Sequence, residues 1–199
     1  MRSLNIAVEG PLDESVLKKM GERLGFDVDE VSGKQGRQYL LDRIGAYRGR
    51  AEHAPWAVLI DRDDDPCPSS LRDEYLPHGL GNLTFRVAVE EIESWIMADR
   101  LAFAEFLGVE QRHLPANTDA IHRPKEFLVE LASRSCKQEI RQGLVPPPGS
   151  RSKVGPEYNI MLIEFVEAQW KCDNASRSSK SLARAMERIP RYLQLFAAR

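Results

Sequence analysis

Trp56-Ala57-Val58-Leu59-Ile60-Asp61-Arg62-Asp63-Asp64-Asp65-Pro66 decides the fold. Five apolar residues in a row are followed at once by acids and a proline. Successive side chains of a strand point to opposite faces, so an unbroken apolar run needs cover on both faces. That is the mark of a central parallel strand. Upstream, Leu4-Asn5-Ile6-Ala7-Val8 is a second short apolar strand, ending in the turn Glu9-Gly10-Pro11. Leu12, Val16, Leu17, Met20 and Leu24 then follow helical spacing until Gly25 stops the pattern. Residues 26–31 read as a weaker strand, and Leu40, Leu41, Ile44 and Tyr47 as the stripe of another helix. Downstream, residues 84–89 read as the next strand, and Glu90 as the opening of a helix through Trp95 and Ile96. Strands that alternate with helices predict an α/β fold: a mostly parallel central sheet of about four strands, flanked by helices.

The remainder reads as helical. Asp99 is a candidate N-cap for a helix carrying Ala102, Phe103, Phe106 and Leu107. Pro124 suits the first turn of a helix with Phe127, Leu128 and Leu131. Val145-Pro146-Pro147-Pro148-Gly149-Ser150 fits neither a regular helix nor a central strand and is the best linker or mobile loop. Beyond it lie a helix with Met161, Leu162, Phe165 and Val166, then an amphipathic segment with Leu182, Met186, Ile189, Leu193 and Phe196. These helices are each too short to bury an apolar stripe alone. The expected organisation is a core over 1–99 with a helical part over 100–199 packed on it as one structural unit.

The chain has 199 residues, 42% of them apolar and 29% charged. That composition excludes disordered, collagenous and coiled-coil classes. No stretch is long enough to span a bilayer, and no signal-peptide pattern opens the sequence, so no membrane partner is expected. Cys67, Cys136 and Cys172 are too far apart for a CxxC metal knuckle and point to a reducing cytoplasm. The net charge of −2 conceals an asymmetry: residues 1–131 carry a net −8 and residues 132–199 a net +6. An acidic front half can hold a cation and a basic back half a polyanion, or both can be solvated faces.

In open α/β sheets ligands gather beyond the carboxyl ends of the strands. The acids fall there: Glu9 after the first strand, Asp61, Asp63 and Asp65 after the central one, Glu90 after the fourth. Asp61 and Asp63, two residues apart in an extended segment, aim at the same side. Clustered carboxylates repel, and a hard divalent cation, Mg²⁺ or Mn²⁺, relieves that repulsion with oxygen ligands. The alternative is a solvated acidic loop whose aspartates cap the next helix.

Ile6-Ala7-Val8-Glu9-Gly10 resembles the first motif of a Toprim domain, a glutamate and glycine at the end of strand one. Leu59-Ile60-Asp61-Arg62-Asp63 resembles its second, the DxD after strand three. Residues 90–99 and Lys153-Val154-Gly155 are similar to segments of DUF4276, a Toprim-like family of bacterial proteins. The acidic run is longer than a plain DxD, and Arg62 places a cation inside it. No tyrosine stands convincingly as a topoisomerase nucleophile, and there is no primase zinc ribbon.

The resemblance implies a Toprim-like fold and a cytoplasmic, metal-dependent nuclease or nuclease-like effector acting on nucleic acid, in the first instance DNA. Related proteins work with an ABC-type ATPase in phage defence. Asp61 and Asp63 would hold Mg²⁺ or Mn²⁺, with Asp65 a further ligand. Glu9 would be a ligand or the general base, and Glu90 and Glu93 a second metal site. Lys153 would neutralise charge on the phosphate. In the alternatives, Glu93 pairs with Arg86 or Arg100 and Lys153 is a loop lysine. Arg177, Lys180, Arg184 and Arg188 recur at helical spacing and make either a phosphate-tracking stripe or a solvated face. Gly33-Lys34-Gln35-Gly36 lacks the P-loop pattern, yet Lys34 and the loop amides are candidate phosphate contacts. Arg62 either holds substrate or suppresses activity. Receiver domains and aspartate-nucleophile phosphatases want their acids after strand one, where Glu9-Gly10 stands. A non-catalytic Toprim-like subunit, binding partners or nucleic acid, is the remaining rival.

Overall fold

The computed structural model describes residues 2–61, 75, 79, 81–88 and 91–198. Asp63, Asp65, Arg62 and Glu90, all candidate site residues, lie outside the described residues, as does Cys67.

The apolar run forms β3 (Trp56–Asp61), and all six of its residues are buried. β1 (Arg2–Val8) pairs with it in parallel, Asn5 opposite Trp56 and Val8 opposite Leu59. β2 (Phe26–Gly33) lies on the other side of β1, and β4 (Thr84–Ala88) on the other side of β3, with Asp61 opposite Ala88. All pairings are parallel, and the order is β2-β1-β3-β4.

The two-residue period of the strands divides the core between two clusters. Ile6, Val8, Ala57 and Leu59 face one, Ala7, Val58 and Ile60 the other. The smaller cluster is closed by α2 (Arg37–Leu41) and α3 (Ile44–Arg50) through Leu40, Leu41, Ile44 and Tyr47. The larger is closed by α1 (Pro11–Leu24), which buries Leu12, Val16, Leu17 and Met20. The helical half packs onto that same cluster: α4 (Ile92–Met97), α5 (Arg100–Leu107), α6 (Pro124–Ser133), α7 (Gln138–Leu144), α8 (Tyr158–Ala168), α9 (Cys172–Ala175) and α10 (Lys180–Ala197). Phe103, Leu128, Phe165, Leu182 and Ile189 share one apolar cluster with the strands. Each buried aliphatic side chain there stabilises the fold by about 1.5–3 kcal/mol.

Several boundaries differ from the sequence reading. β2 runs on to Gly33, whose φ of 93° suits a residue without a Cβ. A Cβ there would lie 2.4 Å from the Val8 carbonyl oxygen. α4 begins at Ile92, because Glu91 is extended (φ −137°, ψ 162°) and the Ile92 amide donates to the Asp61 carboxylate at 2.9 Å. Asp99 precedes α5 but makes no side-chain cap; its Oδ2 accepts from the Lys171 amide at 3.0 Å. Residues 145–157 carry neither helix nor strand. No helix among the described residues is long and apolar enough to cross a membrane.

Candidate functional site

Four carboxylates meet where β1 and β3 end. Glu9 leaves β1, and its Oε1 accepts from the Asp61 amide at 2.9 Å, which ties the two strand ends together. Asp61, the last residue of β3, uses Oδ1 to receive the Ile92 amide and so caps α4 from a distant strand. Asp13, in the first turn of α1, accepts from the Gly10 amide at 2.9 Å. Glu93, in the first turn of α4, is 2% exposed; its Oε1 accepts from the Tyr158 hydroxyl at 3.0 Å. The Lys125 ammonium lies 3.6 Å from the same oxygen and 3.7 Å from Glu91. Glu91 also receives the Lys125 amide at 2.6 Å, fastening the start of α6 to the entrance of α4.

Each acid therefore spends one oxygen on a protein donor. Of the second oxygens, Asp13 Oδ1 and Glu93 Oε2 are buried without a hydrogen-bond partner among the described residues. A buried unpaired carboxylate oxygen costs several kcal/mol unless its charge is removed or compensated. The titration behaviour follows. Burial, then repulsion from Glu93 and Glu9, pushes Asp13 from its ordinary 3.8 up to about 7. Burial, then Asp13, Glu93 and Glu9, hold Asp61 well above the carboxylate range, and Lys125 opposes them. Burial raises Glu93 as well, against the pull of Lys125. Without a bound cation, Asp13, Asp61 and Glu93 are thus all held above their ordinary carboxylate values. With one, the same oxygens are hard ligands suited to Mg²⁺ or Mn²⁺. Two of those oxygens are buried and unpartnered, and among the described residues no group of three or more His, Cys, Asp or Glu side chains forms a ready-made metal site.

Of the expected site residues, Glu9 and Asp61 come together as reasoned from strand ends, and Glu93, expected beside Glu90 in a second metal site, lies with them. Glu93 pairs with Lys125, whereas Arg100 donates to the Leu114 carbonyl. Lys153 is 80% exposed and its ammonium pairs with Glu126 at 3.4 Å, while the ammonium beside Glu93 belongs to Lys125. Lys34 pairs with Glu14 at 3.1 Å. The amides of Lys34 and Gly36, expected as phosphate contacts, donate instead to the carbonyls of Val8 and Glu9. That loop supports the Glu9 backbone.

The basic stripe is exposed at Arg177, Lys180, Arg184 and Arg188, and none of these makes an ion pair among the described residues. Its course is informative. α10 starts beside α4, where Trp95 Nε1 donates to Ser181, and reaches the amino end of β3, where the Trp56 amide donates to the Tyr192 hydroxyl at 3.0 Å. Arg184 and Arg188 thus lead away from the carboxylates.

Asp13, Lys125 and Tyr158 were missed by sequence reasoning. An acid in the first turn after Gly10-Pro11 reads as an ordinary helix cap. Lys125 and Tyr158 sit 32 and 65 residues beyond Glu93 in sequence, and no spacing rule links them to it.

No family model matches this chain, and no curated protein or solved structure matches it significantly.

Proposed function

We propose that the protein is a Toprim-like, metal-dependent phosphodiesterase, a nuclease or nuclease-like effector working on nucleic acid, DNA before RNA, with Mg²⁺ or Mn²⁺. One observation carries this reading: three buried carboxylates, Asp13, Asp61 and Glu93, gather with the half-buried Glu9 where two adjacent parallel strands end, and two of them hold an unpartnered oxygen. Glu9, Asp13, Asp61 and Glu93 would hold the cation, which supplies phosphate polarisation and an activated water when bound. Glu9 keeps Asp61 in register through the Asp61 amide. Lys125 provides the positive charge at the rim, 38% exposed on its side chain and within reach of an anionic substrate. The exposed cations of α10 supply salt-dependent affinity for a polyanion. Action beside an ABC-type ATPase in phage defence is the wider setting in which such a nuclease works.

A second reading, a non-catalytic Toprim-like subunit, is favoured by a different observation: Asp13, Asp61 and Glu93 are each less than a tenth exposed. Cleavage of supercoiled plasmid and labelled single strands separates the two. The natural protein and Asp61→Asn are compared in Mg²⁺, Mn²⁺ and EDTA. Metal-dependent nicking that the variant loses supports the nuclease. Absence of cleavage together with absence of metal binding by calorimetry favours the subunit.

A further inference from the structure

Glu93 draws its side-chain partners from the helices that follow α5. Tyr158, the first residue of α8, is 3% exposed and gives its hydroxyl to Glu93 Oε1 at 3.0 Å. Lys125 Nζ approaches the same oxygen at 3.6 Å, and Oε2 is left buried and unpartnered. A carboxylate with one oxygen held by a donor keeps its other oxygen in a defined direction.

The placement of Tyr158 is independently fastened. The Gly155 amide donates to the Leu144 carbonyl at 2.9 Å, and the Glu157 amide to the Gly143 carbonyl at 3.0 Å. A Cβ at position 155 would lie 2.2 Å from the Gly143 oxygen. The glycine of Lys153-Val154-Gly155 thus lets the chain lie against the end of α7, and α8 starts three residues later with its tyrosine under Glu93.

We propose that Tyr158 is a positioning residue for the cation site: by holding Oε1 of Glu93 it presents Oε2 as a ligand. This rests on the metal reading above. Donors to a metal-ligating group orient it and keep it charged, and losing one typically weakens metal affinity 10–100-fold.

The test is calorimetric titration with Mn²⁺ alone at pH 7.5 on the natural protein, Tyr158→Phe and Tyr192→Phe. The last loses a phenol bond at the far end of β3, where the hydroxyl accepts from the Trp56 amide. The expected result is about tenfold weaker binding in Tyr158→Phe and unchanged binding in Tyr192→Phe. Equal affinity in all three overturns the role of Tyr158 and leaves the metal site standing. An equal loss in both variants also overturns it, since general loosening would then be the cause. No Mn²⁺ binding by the natural protein overturns this proposal and the metal reading together. If Tyr158→Phe does not fold, 3-fluorotyrosine incorporated throughout takes its place. Its more acidic phenol donates a stronger bond at unchanged shape, so a changed Mn²⁺ affinity supports the role and an identical one overturns it.

Discussion

Replacing Asp13 by asparagine isolates the cost of the carboxylate cluster. Asparagine keeps the volume and an acceptor for the Gly10 amide, and it removes one buried charge. The carboxyl of Asp13 titrates at 3.8 in its ordinary state and at about 7 in the fold. At about 1.4 kcal/mol per pKa unit, that rise corresponds to about 4 kcal/mol. The sign follows from proton uptake. Between about pH 4 and 7 the folded protein binds the proton that the unfolded chain has lost. Stability therefore falls as pH rises through that window, and the full penalty is present above it. Asp13→Asn is expected to match the natural protein at pH 4.5 and to exceed it at pH 8 by about 2–4 kcal/mol, the lower end allowing for the acids that remain. For a chain of this size that is a rise in Tm on the order of 5–15 °C. Thermal unfolding by circular dichroism in EDTA, from pH 4.5 to 8, measures it. A variant with the same pH slope as the natural protein, or one destabilised at every pH, would refute the argument. Added Mn²⁺ at a hundredfold excess over its Kd stabilises a binding protein by about 2.7 kcal/mol, and the asparagine variant is expected to gain less.

Three further outcomes are expected. Gly33→Ala forces a Cβ to within 2.4 Å of the Val8 carbonyl and 2.6 Å of Leu40 at a φ of 93°. It should lower stability by about 1–3 kcal/mol or more in chemical denaturation. Lys153→Ala removes an exposed ion pair and should change stability by less than about 1 kcal/mol, with metal-dependent activity, where present, within twofold of the natural protein; a large loss would return Lys153 to the site. Tyr192→Phe leaves the Trp56 amide without its hydroxyl and should cost about 1 kcal/mol, read from the urea midpoint.

The elements most legible from sequence are those whose pattern is local. β3 is an unbroken apolar run that must be covered on both faces, and its alternate residues do enter different clusters. The α1 and α10 stripes follow 3.6-residue spacing, with Leu182, Ile189 and Leu193 buried as spaced. Strand-end logic brought Glu9 and Asp61 to one place, because parallel neighbours end on the same side of a sheet. Asp99 shows where local logic fails. It stands where a cap belongs, yet its side chain turns to Lys171, 72 residues away.

Sequence alone determined the α/β class, the parallel sheet and the strand ends at which acids gather, since each depends on neighbours a few residues apart. Tertiary structure alone decided the rest of the site. The carboxyl of Asp13 is raised because it is buried beside Glu93 and Glu9, and Lys125 came to rest on Glu93. Tyr158 reached the cluster because Gly155 lets α8 start against α7. The pKa of a carboxylate and the partner of a lysine depend on burial and on charges a few ångströms away in space, and those distances are created when separate segments pack.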